Sequence, residues 1–220
     1  MLGTIRNRRS ACMKPIDTDQ AAVATGPLMR ADARRNHDAI VAAAYELFAE
    51  YGTEAQMDEI ARRAGVGVGT LYRHFPAKED LLDAVIARRF EGLAERAGEA
   101  VRQATAGEPW DAFEGYIGWA AKVQAGDRAL SEAMATRSER MHAAAVGSGL
   151  VEELEQLLDQ AKRAGTLRDD LVVEDIPAMV CSIGAVAAAA AQKPGWRWDR
   201  VIAIWLDGVR APGVSKLPGP

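Results

Sequence analysis

The stretch from Asp58 to Phe75 constrains this chain more than any other. Met57, Ile60, Ala61 and Ala64 recur at i, i+3, i+4 and i+7, the apolar face of a short helix. Gly65 follows the last of them, where a left-handed residue would end that helix. A second short helix is predicted from near Gly67, with Val68, Leu71 and Phe75 as its apolar face. At about 100° per residue, Thr70, Arg73 and His74 point the other way and Gly69 lies at the edge. Two short helices joined by a tight glycine turn make a helix-turn-helix, whose second helix can enter a major groove.

The side chains suit duplex DNA. Gly69 lets a phosphate or base edge come close to the backbone. Arg73 can reach guanine O6/N7 or a phosphate, and Thr70, Tyr72 and His74 offer hydroxyl and imidazole groups to phosphate oxygens. A helical hairpin of no particular function would show the same period, but the literal residues go further. Ile60-Ala61, Ala64-Gly65-Val66, Gly69-Thr70-Leu71-Tyr72-Arg73-His74-Phe75, Lys78-Glu79 and Leu81-Leu82 closely resemble the DNA-binding signature of TetR-type transcriptional regulators. The resemblance covers roughly residues 35 to 85. It implies an all-α protein: an N-terminal three-helix DNA-binding domain followed by a helical ligand-binding and dimerisation domain. It also implies that Lys78 holds the DNA backbone. Two departures stand out. The family's Thr or Ser at the start of the second helix is replaced by Ala55-Gln56, so either Gln56 caps that helix and reaches a phosphate or nothing does. The often polar base-reading position before Gly69 is Val68, which can touch only a thymine methyl and shifts base reading to Arg73 and Thr70.

Charge bears directly on this reading. The chain of 220 residues has a net charge of −4, and residues 30–90 hold 9 Lys and Arg against 10 Asp and Glu. The DNA-binding segment is therefore not basic as a whole, so attraction must come from a local face and non-specific binding should be weak. The two cysteines, Cys12 and Cys181, have neither metal nor disulfide spacing, which points to a reducing cytoplasm. No secretory signal is evident. The charge-free run from Ile176 to Gln192 is shorter than the ~20 residues a bilayer requires and reads as a buried helix. No metal or other cofactor is expected: Glu139 and His142 alone make a weak metal signal.

In chain order, residues 1–30 read as a disordered tail, with Met13 and Met29 as alternative starts. The DNA-binding domain is expected over 31–80. Its first helix begins near Arg34 and carries Ile40, Ala43, Ala44, Leu47, Phe48 and Tyr51, with Gly52 ending it. Arg34, Arg35 and His37 lie at its start, either as phosphate contacts or as ordinary surface charge. The regulatory domain is expected over 81–211. Pro76 and Ala77 open a long linking helix that runs past Ala100.

Trp110, Phe113, Tyr116 and Trp119 follow at helical spacing; such a stripe is either core or the lining of a ligand cavity. Met134, Met141, His142 and Met179 complete the candidate pocket. Leu150 to Ala161 forms an amphipathic helix that ends at Gly165. Asp175 should cap the nearly all-apolar helix 176–192, and Trp198 to Val209 makes the last one. These two helices carry more apolar surface than one chain easily buries. That suggests a four-helix interface between two copies, using Ile183, Val186, Ala187, Ala190, Val201, Trp205 and Val209. Residues 212–220 read as a disordered tail.

The expected partners are thus a double-stranded DNA operator, a second copy of the chain and an unknown small-molecule effector, with no membrane. The leading expectation is a repressor released from a palindromic operator by that small molecule. The alternative is a constitutive or protein-regulated DNA-binding factor. An enzyme is disfavoured because His37, His74 and His142 are scattered, and Gly65 to Gly69 lacks the preceding strand and third-glycine spacing of a phosphate loop.

Overall fold

The computed structural model describes residues 27–126, 138–190, 195–212 and 215–219. Arg6, Arg8, Arg9, Cys12 and Met134 lie outside these residues, as does most of the expected N-terminal tail. The chain divides into two compact units, residues 1–35 and 36–220. Within the first, helix α1 (Pro27–Tyr51) is already under way, ahead of the onset read at Arg34. Asp32 and Arg35 pair one turn apart there, and Arg34 is exposed.

In the second unit, the helix-turn-helix is built from α2 (Met57–Arg63) and α3 (Val68–His74). Ile40, Ala44, Leu47 and Phe48 of α1 share one core with Ile60 and Ala61 of α2 and with Leu71 and Phe75. Tyr51 does not continue that stripe: it is exposed, and Gly52, at φ +62°, turns the chain away. Gly65 adopts φ +69° just past α2. Its N–H donates to the Arg62 carbonyl (3.2 Å), and the Val66 N–H donates to the Ala61 carbonyl (3.0 Å). That pair of bonds is a Schellman closure, which satisfies two of the carbonyls a helix end leaves open.

Helix α4 (Lys78–Thr105) starts with the Ala77 N–H donating to Asp80 Oδ2 (3.0 Å). It packs on α5 (Pro109–Gly126), α6 (Ser138–Gly147) and α7 (Leu150–Arg163). Pro109 occupies the first position of α5, where its missing N–H costs nothing. Small buried residues Ala94, Ala97, Gly98 and Ala104 along α4 leave room for its neighbours. α7 ends at Gly165 (φ +68°) with the same closure as α2, Gly165 to Lys162 (2.8 Å) and Thr166 to Ala161 (3.0 Å).

Helices α8 (Asp175–Ala190) and α9 (Trp198–Val209) pack on each other and on α5. Asp175 faces backwards: its Oδ2 accepts from the Val172 N–H (3.0 Å) in the preceding turn.

The C-terminus is held where a free tail was expected. Arg168 is buried and donates to Asp170 through Nε (2.5 Å) and Nη2 (3.0 Å), to the Gly208 carbonyl (3.1 Å) and to the Ser215 carbonyl. Asp170 Oδ2 also accepts from the Leu217 N–H (2.8 Å). A guanidinium taken out of water needs all these acceptors, and the C-terminal backbone supplies one of them. Among the described residues there is no strand beyond the single bridge between Leu167 and Arg210.

Candidate nucleic-acid interface and interior cavity

Helix α3 has seven residues, and its two sides differ sharply. Leu71 is wholly buried and Phe75, just past the end, nearly so. Gly69, Tyr72 and Arg73 are exposed, and Thr70 is half-buried. Val68 was expected on the apolar face, but at 40% exposure it belongs to the outward side. It opens α3 one turn ahead of Leu71, beyond the reach of the core that seats Leu71. A Cβ built on Gly69 would meet nothing within 4 Å. The fold itself therefore has no steric need of glycine there.

His74 departs from the expected groove-facing role. It is half-buried, with its ring 6.1 Å from that of His37 and 6.4 Å from that of Phe75. His37 itself lies 5.0 Å from the Phe75 ring, so it packs at the end of the recognition helix. Gln56 precedes α2 but does not cap it. Its Nε2 donates back to the Glu54 carbonyl (2.8 Å), and its side chain makes no cap bond to the helix N–H groups. Lys78 donates to the Thr53 carbonyl, which closes α4 onto the turn after α1.

Charge is distributed unevenly over this domain. Arg62 pairs with Glu59 and Arg63 with Glu46 (2.7 Å), so both are offset by carboxylates. Arg73 is exposed and makes no ion pair among the described residues. Beside the start of α2 lies an open cleft of about 650 Å³ whose lining includes Glu50, Glu54, Asp58 and Glu59. Phosphate is repelled there. Helix α3 itself carries no carboxylate.

A second space, about 350 Å³, lies among α4, α5, α6, α7 and α8. Of the expected pocket residues, Tyr116, Met141 and His142 line it. Trp110, Phe113, Trp119 and Met179 do not. Trp110 and Phe113 face the interior: their rings are 6.0 Å apart, Phe113 stacks on Trp205 (6.2 Å), and Arg210 sits 4.6 Å over Trp110. Trp119 packs beside Tyr116 (6.1 Å) beneath Arg96 (5.9 Å), and Met179 is buried in the core. The wall that the sequence reading missed comes from Phe90 and Leu93 on α4, Leu154 on α7, Val180 on α8 and Gln124 on α5. Tyr116, Ala120 and Gln124 stand at i, i+4 and i+8, and that stripe was the available signal.

Two family models match, "Bacterial regulatory proteins, tetR family" over residues 40–85 and "Transcriptional regulator SbtR-like, C-terminal domain" over 108–211. A crystal structure of a TetR transcription regulatory protein from Mycobacterium vanbaalenii is 35% identical with a TM-score of 0.58, the match covering 83% of this chain and 99% of that one. The chain belongs to the TetR family of transcriptional regulators. A TetR regulator from Streptomyces coelicolor is similar at 28% identity and a TM-score of 0.50, over 80% of this chain and 99% of that one. An HTH-type transcriptional regulator from Staphylococcus aureus (strain USA300) is 49% identical over 61 residues, 27% of this chain. That match spans 33% of the length of the curated relative.

For a TetR-family chain, the faces of α8 and α9 not covered by α5 matter most. Two of the expected interface residues are interior to the single chain: Ile183 is 0% exposed and Val209 is also buried, each packed into the core. Val186, Ala187, Ala190, Val201 and Trp205 are half-buried. Ile204, which the sequence reading passed over, is 65% exposed on α9. Ala185 and Ala188 on α8 are exposed as well. Among the described residues no helix is long and apolar enough to cross a membrane.

Proposed function

We propose that this TetR-family regulator is a homodimeric repressor that grips a roughly palindromic operator and lets go when a small molecule fills the 350 Å³ cavity. The observation that carries the DNA half is the outward side of α3. Gly69, Tyr72 and Arg73 are exposed there, while Leu71 anchors the opposite side in the core. Arg73 and Thr70 read bases, Val68 meets a thymine methyl, and Tyr72 and Lys78 reach phosphates. Two such helices on a two-fold dimer would sit ~34–36 Å apart, one turn of the duplex.

Helix α4 supports the release half, because it serves both sites. Lys78 at its start reaches Thr53. Further along, Arg89 donates to the Tyr45 hydroxyl (2.5 Å) of α1, and its neighbour Phe90 lines the cavity. A molecule that reseats Phe90 therefore moves the helix that holds the DNA-binding domain. Release follows from differential affinity for the two α4 positions.

The dimer is built on the outer faces of α8 and α9, with Ile204, Val201, Trp205, Val186, Ala187 and Ala190 at its centre. The presence of a cavity weighs against the alternative of a constitutive factor with no ligand. In this reading the protein is a binder with no reaction to catalyse. Selection of bound duplexes from a random pool tests it: a two-fold symmetric consensus is expected. Recovery of no consensus at low ionic strength, or a consensus without symmetry, would count against it.

A further inference from the structure

We infer that the cavity takes an uncharged, largely apolar molecule bearing a hydrogen-bonding group, and that it rejects carboxylates. The inference rests on the reading of the cavity as the effector site, and it names the effector's class. The lining is aliphatic and aromatic on four sides: Phe90 and Leu93, Leu154, Val180, and the Tyr116–Ala120–Gln124 stripe of α5. Among the described lining residues there is no lysine or arginine. Its ionisable lining groups are Tyr116, His142, Glu174 and Cys181, and of these His142 and Glu174 are exposed, at the solvent side. A carboxylate buried here would find no cation among the described lining residues and a second carboxylate at the entrance.

The groups facing Tyr116 from neighbouring elements bear this out. Arg89 on α4 is close enough to pull the Tyr116 phenol down, but burial outweighs it and holds the phenol above its ordinary value. The surroundings are dry enough to disfavour a negative charge despite a guanidinium nearby. Arg89 also spends Nη1 on Tyr45 and lies 5.7 Å over that ring. Burial likewise raises the Cys181 thiol, so it is not a thiolate.

Shape adds a second limit. Ala120 stands between Tyr116 and Gln124, so the middle of the α5 wall is shallow while a phenol and an amide flank it. The ends of that stripe lie about 12 Å apart along the helix axis. The space of about 350 Å³ opens to solvent on the side of His142 and Glu174. That is room for a compact two-ring molecule.

The test pairs two probes of equal shape, naphthamide and naphthoate, titrated calorimetrically into the full chain at neutral pH. Naphthamide should bind saturably, and naphthoate at least about 100-fold more weakly, because its charge is buried unpaired. Tyr116→Phe should weaken naphthamide about threefold to tenfold by removing one hydrogen bond, and should leave naphthalene itself unchanged. Ala120→Phe, which fills the space, should abolish binding of all three; Val180→Phe repeats the test from α8.

Naphthoate binding as tightly as naphthamide, or no saturable binding by either, overturns the inference. So does naphthamide binding that persists in both filled variants. Titration of the selected duplex keeps the two readings apart. Naphthamide that binds in the cavity without weakening DNA upholds the ligand class and removes the release step. Naphthoate that displaces DNA while naphthamide does not upholds release and overturns the class.

Discussion

At the scale of single residues, Gly69 is the most informative position. An exposed glycine inside a helix costs about 1 kcal/mol relative to alanine. A Cβ there would clash with nothing in the chain. Gly69→Ala should therefore raise unfolding stability by about 0.5–1 kcal/mol, measured in urea, while weakening operator binding. A variant more stable and equally tight on DNA would mean that no backbone or base approaches that spot. Arg73 and Lys78 should separate by kind of contact. Arg73→Ala should cost about 1–3 kcal/mol and relax sequence preference, whereas Lys78→Ala should weaken all sequences alike and reduce the salt slope by about 1. The Lys78 bond to Thr53 makes that second effect an exchange, since the ammonium must leave one acceptor for another.

Residue-scale legibility was uneven for a physical reason. Leu71 and Phe75 declared themselves because a short helix seats only its best-placed apolar side chains. Val68 shared their period yet lies outside the core's reach, and period alone does not measure reach. His74 and His37 carry polar labels, but their rings pack with Phe75, a tertiary choice with no local signature.

At the scale of elements, the Arg168 clasp couples α9 to the chain's end and makes that coupling sensitive to acid. Two guanidinium hydrogen bonds, with help from the Leu217 N–H, hold the Asp170 carboxyl well below the usual carboxylate range. A depressed carboxylate contributes stability that is complete above its unfolded value of about 3.9 and is lost as pH falls toward the folded value. Residues 215–219 should thus become accessible to carboxypeptidase only below about pH 4. Asp170→Asn should expose them at neutral pH and remove the pH dependence. Equal resistance of wild type and variant would show that the clasp does not hold the tail.

The same comparison shows which elements the sequence could disclose. α2, α7 and α9 are amphipathic with marked ends: Gly65 and Gly165 stand where a left-handed residue closes α2 and α7. α5 is apolar on most sides, so nothing local distinguished Phe113, which faces Trp205, from Tyr116, which faces the cavity. The cavity's walls come from five helices, and no single stretch could announce them. The clasp was invisible for a like reason, since Arg168 meets Ser215, and Asp170 meets Leu217, only in three dimensions.

At the scale of the whole molecule, the decisive question is how two copies meet. Trp205, among the expected interface residues, stacks on Phe113, so replacing it would disturb the chain's own core. Ile204 is the cleaner choice at 65% exposure. Ile204→Asp should leave helicity and melting of the chain nearly intact yet yield monomers in sedimentation, and with them a loss of operator binding. A dimer that survives the substitution would move the interface elsewhere.

The carboxylate-lined cleft beside α2 has a consequence for life on a chromosome. A regulator competes for its target against roughly 10⁶–10⁹ irrelevant stretches of duplex, and a basic surface leaves most copies parked on them. Glu50, Glu54, Asp58 and Glu59 work against such parking. A face of that sign would leave fewer copies on irrelevant duplex, so that fewer would be needed to fill one target.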